Sequence, residues 1–235
     1  MQNLERVTLL KTSLKQRILV LDGAMGTAIQ GYDLNADDFG GVDYEGCNEY
    51  LVLTYPKIIS EIHESYLLAG ADIIETNTFG STSVVLAEYG LEKLARELNR
   101  VAAELAVKAA IKCSTPDKPR FVAGSMGPTT KTISVTGGIT FDALAESYCE
   151  QALGLIEGGV DVLLLETSQD TINVKAGLEG IDRAIAQLEI SIPVAVQGTV
   201  EPMGTLLAGQ DAESFYTSLA HRDLLWMGFN CATGP

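Results

Sequence analysis

A (β/α)8 TIM-type barrel is the fold class this sequence predicts, on three observations. Short β-rich runs alternate with long amphipathic ones, the β-rich runs are almost uninterruptedly apolar, and each ends in a polar group. Alternation of this kind marks an α/β fold, and continuous apolar strands mark a parallel sheet covered on both faces. Six strands are predicted in order: RILVLD (17–22), ADIIETN (71–77), RFVAGS (120–125), VDVLLLET (160–167), IPVAVQG (192–198) and LLWMGFN (224–230). The segments 56–70, 91–112, 141–159, 170–189 and 211–222 lie between them and carry apolar residues at spacings of three and four, the period of a helix with one buried face. Pro56 suits a first helical turn, where a missing N–H costs nothing. Thr140 and Asp170 stand where a side-chain oxygen can cap the helix that follows.

An open doubly wound sheet would show the same alternation. The polar strand ends discriminate between the two. Asp22, Glu75-Thr76-Asn77, Ser125, Glu166-Thr167, Gln197 and Asn230-Cys231 lie at or just past the C-terminal end of each predicted strand. A barrel gathers those ends round one mouth, whereas an open sheet strings them along an edge. LLAGADIIET (67–76) and IEGGVDVLLLET (156–167) also repeat one pattern of helix end, Gly, Asp, apolar strand and Glu-Thr, so they read as equivalent βα units. Six strands against the eight of a closed barrel predict a single barrel domain over residues 1–235 that is short of its last two βα units.

Composition narrows the partners. With 46% hydrophobic residues in 235, the chain can bury a full core. A formal net charge of −15 repels phosphate backbones and anionic membrane surfaces, which argues against nucleic acid and membrane as partners. No apolar run approaches the roughly 20 residues of a membrane span, and the N-terminal stretch lacks a signal-peptide layout. A cytoplasmic protein is expected. Four cysteines, at 47, 113, 149 and 231, are too scattered for a disulfide framework.

Asp22 opens DGAMGT, a glycine-rich turn after a strand. Gly23 and Gly26 would let backbone amides approach a small anion such as a carboxylate, or the turn is simply tight, with Asp22 bonding its own backbone. No nucleotide-binding glycine fingerprint occurs in this turn. Glu75 and Glu166 are carboxylates of alternate strands, able to act as an acid/base pair or as counter-charges to an ammonium group. The alternative is a pair of buried glutamates satisfied by amides or by Lys131. His63 and His221 both fall in helical patterns, which speaks against a histidine metal site or a Ser-His triad. Cys113 and Cys149 read as packing thiols, Cys47 stands on a loop with either reading open, and Cys231 leaves a strand at the mouth, where a thiolate is a nucleophile or a soft metal ligand. One cysteine does not make a zinc site.

ILVLDGAMGTAIQ, GCNEYLVLTYP, AGADIIETNTFGST, GSMGPTTKTIS, LLLETSQD and GFNCATGP, in that order, resemble the N-terminal homocysteine-binding module of cobalamin-dependent methionine synthase. The match runs from about residue 15 to the end. The resemblance implies a homocysteine S-methyltransferase in which zinc, held by three cysteine thiolates, activates the homocysteine thiolate. The methyl group then comes from methylcobalamin on a separate module, originating from methyltetrahydrofolate, and the product is methionine. It implies that Cys231 is the first zinc ligand and that the other two are a Cys-Cys pair in a segment absent from these residues. The folate-binding, cobalamin-binding and reactivation modules of such enzymes are absent too, so this stretch alone is expected to be inactive. By position, the backbone of Asp22, Gly23, Ala24 and Met25 would hold the substrate carboxylate and Glu166 its ammonium, while Glu75, Thr76, Asn77, Thr78 and Asn230 line the pocket. No residue is assigned as a catalytic acid or base. Three alternatives stand beside this reading: a betaine- or S-methylmethionine-type homocysteine methyltransferase, a non-catalytic partner-binding barrel, and a metal-free lyase using Glu75, Glu166 and Lys131.

Overall fold

The computed structural model describes residues 4–232; the Thr233-Gly234-Pro235 end of the GFNCATGP motif lies outside them. Five strands form one sheet: β1 (Ile73–Glu75), β2 (Phe121–Met126), β3 (Val162–Ser168), β4 (Val194–Gly198) and β5 (Met227–Phe229). Every pairing is parallel, and the spatial order is the chain order, β1-β2-β3-β4-β5. A doubly wound sheet reverses its order at a switch point; this sheet does not reverse, which is the barrel arrangement. The segment 17–22, expected as a full first strand, makes only one parallel bridge, Leu21 with Ile73. It is also tied by backbone bonds at Val20 and Asp22, by the Asp22 carboxylate and by an Asp72 clamp.

That clamp explains the repeat seen in the sequence. Asp72 accepts the Val20 N–H at 3.0 Å and takes a two-pronged ion pair from Arg17 at 2.7 and 2.8 Å. Asp161, its equivalent before β3, accepts the Val122 N–H at 2.9 Å and is paired by Arg6 at 2.7 Å through both oxygens. In each unit the aspartate at the strand start pins the neighbouring strand. The Arg17 bond, which outweighs the cost of burial, holds the Asp72 carboxyl below its ordinary pKa.

Helices cover the outer face of the sheet: α4 (Pro56–Ala69), α6 (Ala95–Cys113), α7 (Phe141–Glu157), α8 (Thr171–Leu188) and α9 (Ala212–Leu219), with α1 (Leu4–Gln16), α2 (Met25–Gln30), α3 (Leu51–Thr54) and α5 (Ser83–Leu86) elsewhere. Thr140, Asp170 and Asp211 each accept a backbone N–H at the start of the helix that follows. Outward residues of the strands, Ile74, Val122, Met126, Leu163, Leu165, Val194 and Val196, pack on these helices in the main core. Inward residues Ile73, Phe121, Ala123, Val162, Leu164 and Ala195 form a second core with Leu10 of α1. The period-two alternation of a strand then points Glu75, Ser125, Glu166 and Gln197 inward as well, at the C-terminal end. Helix α1 was not expected from the sequence. It closes the opposite end of the barrel, where Arg6 ties it to Asp161 and to the Arg120 carbonyl.

A third core, including Ile29, Phe39, Cys47, Leu51 and Val52, lies under the excursion between residues 25 and 54 and packs on α4 and α6. Cys47 is therefore a packing thiol, and burial pushes its pKa up to about 11. His63 of α4 is fully buried with both ring nitrogens unpartnered, and burial lowers its pKa to about 4 from 6.5. Because the fold refuses a proton that the unfolded chain accepts, stability is full above pH 6.5 and falls as the pH drops towards 4. His63→Leu is expected to flatten that fall, measured by urea unfolding at pH 4.5 and 7; an unchanged acid slope would place the responsible proton on another group.

Candidate functional site

The strand ends converge on a cleft of about 610 Å³ lined by residues from every strand of the sheet or from the turn that follows it. Asp22, Gly23, Ala24 and Met25 form one wall and Glu75 to Thr78 the next. Glu166, Asn230 and Cys231 stand opposite, and Ser125 and Gln197 complete the floor. The cleft thus brings together all eleven residues singled out from the sequence. It also contains Asn48, Glu49 and Phe79, which sequence reasoning passed over. Asn48 and Glu49 lie in GCNEYLVLTYP and Phe79 in AGADIIETNTFGST, motifs that carry the resemblance but give these three residues no address at the mouth.

Glu166 accepts from three side-chain donors. Its Oε1 accepts the Ser125 hydroxyl at 2.6 Å, and its Oε2 accepts Asn230 Nδ2 at 2.8 Å and Thr167 Oγ1 at 3.4 Å. Asn230 in turn receives the Thr167 N–H on its Oδ1 at 3.0 Å. Thr167 has φ +53 and lies where the β3–β4 register shifts, so a β-branched residue is held in a left-handed conformation that the Asn230 clamp helps maintain. Cys231, also left-handed at φ +58, is exposed, and its Sγ is 3.5 Å from Thr167 Oγ1.

Asp22 receives the Glu75 N–H at 3.1 Å on both carboxylate oxygens, so this aspartate bonds a neighbouring strand. Burial pushes Asp22 up to about 7 and Glu75 up to about 9, with the nearby carboxylates adding to both. Burial raises Glu166 as well, against the bonds that favour its charged form. Glu49 accepts the Gly80 N–H at 2.8 Å, and enclosure of its carboxyl raises its pKa. No lysine, arginine or histidine lines the cleft. Lys131 is exposed and outside it, so the two glutamates have no lysine counter-charge.

Among the hydrogen bonds of the described residues, none uses the N–H groups of Gly23, Ala24 or Met25. Tyr66 donates to the Ala24 carbonyl at 3.2 Å, and a Cβ on Gly23 would come within 3.0 Å of its ring. Gly26 differs: a Cβ there would meet only Asn48 at 3.8 Å, an ordinary contact. Thr76 and Thr78 are buried, and their hydroxyls are 2.6 Å apart; Thr76 accepts the Ser125 N–H at 3.0 Å and Thr78 donates to the Ser125 carbonyl at 2.6 Å. These hydroxyls therefore knit β1 to β2. Asn77 donates to the Asn48 carbonyl at 2.7 Å and draws the 48–50 turn over the mouth.

One comparison decides the family. The model for homocysteine S-methyltransferases matches residues 19–235. The chain belongs to the homocysteine S-methyltransferase family. Among solved structures, it is similar to the homocysteine methyltransferase MmuM from Escherichia coli in its metallated form, with a TM-score of 0.77 and 23% identity over 94% of this chain and 77% of that one. The oxidised and apo forms of the same protein give TM-scores of 0.75 and 0.69 at 23% identity, each over 93% of this chain. At that identity the likeness establishes the fold. In this family member the described residues include no group of three or more His, Cys, Asp or Glu able to hold a metal ion. Cys231 is the only thiol lining the cleft, so these residues do not by themselves make a zinc site, which needs at least three protein ligands. No helix among the described residues is long and apolar enough to cross a membrane.

Proposed function

We propose that the cleft binds the zwitterion of L-homocysteine and presents its thiol at Cys231 for methylation to methionine. The observation that carries this reading is the division of the cleft into an amide wall and an acid wall. The unused N–H groups of Gly23, Ala24 and Met25 suit an α-carboxylate. Across the cleft, Glu166 is held by Ser125 and Asn230 with no basic side chain near it, which suits an α-ammonium. The side chain of an amino acid held at both ends then extends towards the exposed Cys231 thiol. Phe79 and Met25 add apolar surface against its methylenes.

Cys231 would be one zinc ligand, with two further thiolates supplied by a Cys-Cys segment that these 235 residues do not contain. Zinc, when bound, supplies removal of the substrate thiol proton. What this chain's own residues do is orient the amino acid and keep Glu166 fixed as an acceptor. We assign methylcobalamin on a separate module as the methyl donor, on the DGAMGTAIQ and GPTTKTIS versions of the motifs. S-methylmethionine or betaine is the alternative.

The test offers L-homocysteine and zinc with each of the three donors, comparing the 235 residues with the chain continued through a Cys-Cys segment. Methionine is expected only from the continued chain and with methylcobalamin. Methionine from S-methylmethionine or betaine alone would reassign the donor. Equal turnover by the 235 residues would overturn the assignment of Cys231 to zinc.

A further inference from the structure

The acid wall holds one more carboxyl than its hydrogen-bond donors can serve. Asp22 has the Glu75 N–H on both oxygens. Glu166 has Ser125, Asn230 and Thr167. Glu49 has the Gly80 N–H. Among the described residues no donor reaches the Glu75 carboxyl, which lines the same cleft as the Glu166 carboxyl, and burial with that neighbouring charge raises its pKa. Two carboxyls in one cleft can share a hydrogen bond only with a proton between them. Since Glu166 already accepts from donors on both of its oxygens, that proton belongs on Glu75.

We propose that Glu75 is a neutral acid in the free cleft, donating to Glu166, and that it releases its proton to solvent when the ammonium group of a ligand takes the proton's place. The inference rests on the amino-acid reading of the cleft and adds a residue that senses the amine. The charges balance. Before binding, Glu75 carries COOH and Glu166 carries COO⁻; afterwards two carboxylates face one NH3⁺, and one H⁺ has left. The pair together with its cation keeps the same net charge of −1, so the proton acts as a placeholder for the ammonium. Each amine is thereby exchanged for a proton at constant local charge, whereas a ligand lacking an amine leaves the proton where it is. Asp22 and Glu166 are the charged groups that act on Glu75, and Glu49 and Cys231 line the same cleft, with Tyr66 behind the Asp22 turn. None is a base that would take the proton permanently.

The experiment uses zinc-free protein and two thiol-free probes of matched length, L-norleucine with its amine and hexanoate without, so neither metal nor thiol chemistry enters. Calorimetry at pH 8 in buffers of different ionisation enthalpy counts the protons. At that pH Asp22, near 7, is mostly ionised, whereas Glu75, near 9, still holds its proton. Wild type is expected to release close to one proton per norleucine and about none per hexanoate. Glu75→Gln, which keeps the shape, is expected to bind norleucine with no release. Infrared difference spectra of wild type, bound minus free, read the same event without a variant, as loss of a carboxylic-acid C=O stretch. Norleucine binding without proton release, or release that persists in Glu75→Gln, overturns the inference and leaves the amino-acid reading intact. Absence of norleucine binding by wild type overturns the amino-acid reading, and the inference falls with it.

Discussion

Replacing Glu166 with glutamine is expected to weaken L-homocysteine binding by roughly 1.5–3 kcal/mol, the range for a hydrogen bond to a charged group. That is about 10- to 150-fold in Kd. Two effects act together. The counter-charge for the ammonium is lost, and an amide NH2 must face one of the donors, Ser125 Oγ at 2.6 Å or Asn230 Nδ2 at 2.8 Å, that a carboxylate accepts on both sides. Glutamine presents one acceptor oxygen where the carboxylate presents two, so it can keep the Asn230 bond only by turning its NH2 to Ser125, whose hydroxyl must then accept instead of donate. The measurement is calorimetric titration of the zinc-loaded chain continued through a Cys-Cys segment, with the unfolding midpoint recorded to confirm that the barrel is intact. An unchanged Kd in a folded variant would leave Glu166 with a structural role only.

The second large effect lies in the helical layer. Gly180→Ala is expected to destabilise the protein by roughly 2 kcal/mol or more, although alanine is the better helix former by about 1 kcal/mol. A Cβ at Gly180 of α8 would overlap the Ala145 carbonyl oxygen of α7 and come within 2.8 Å of the Cys149 nitrogen. Both are backbone atoms and cannot rotate aside, so relief requires the helices to separate, and overpacking of this kind costs about 1–3 kcal/mol or more. Gly154 of α7 meets the same limit, since its Cβ would overlap the Arg96 carbonyl oxygen of α6. Urea midpoints decide it. Equal or higher midpoints for Gly180→Ala and Gly154→Ala would mean that the α6–α7–α8 crossings yield more readily than backbone contact implies.

Much of the site was legible because barrel strands place chemistry at a fixed address. Once strands were read as parallel and barrel-forming, residues at their C-terminal ends had to share a mouth, and Asp22, Glu75, Glu166, Asn230 and Cys231 were found by that rule alone. Glu49 and Asn48 were not, because they reach the cleft from a loop. The third core under residues 25–54 puts them there, through contacts with α4 and α6 that no local pattern announces. Helix α1 escaped for a related reason. Its apolar stripe is weak, and its place is fixed by Arg6 pairing with Asp161, 155 residues away.

By itself, then, the sequence determined five of the strands and the helices that cover them, which residues terminate those strands, and the family, since each of these follows from short-range periodicity or ordered motifs; it missed helix α1 and overstated segment 17–22. Only the tertiary structure decided the protonation and geometry of the mouth. That burial and the nearby Glu166 charge raise the Glu75 pKa, that the left-handed Thr167 is bonded by Asn230, and that Lys131 lies outside the cleft all depend on groups distant in sequence. The physical reason is that pairwise electrostatics and hydrogen bonding act over a few ångströms in space, and spacing along the chain carries no information about that distance until the strands have paired and gathered their ends at the cleft.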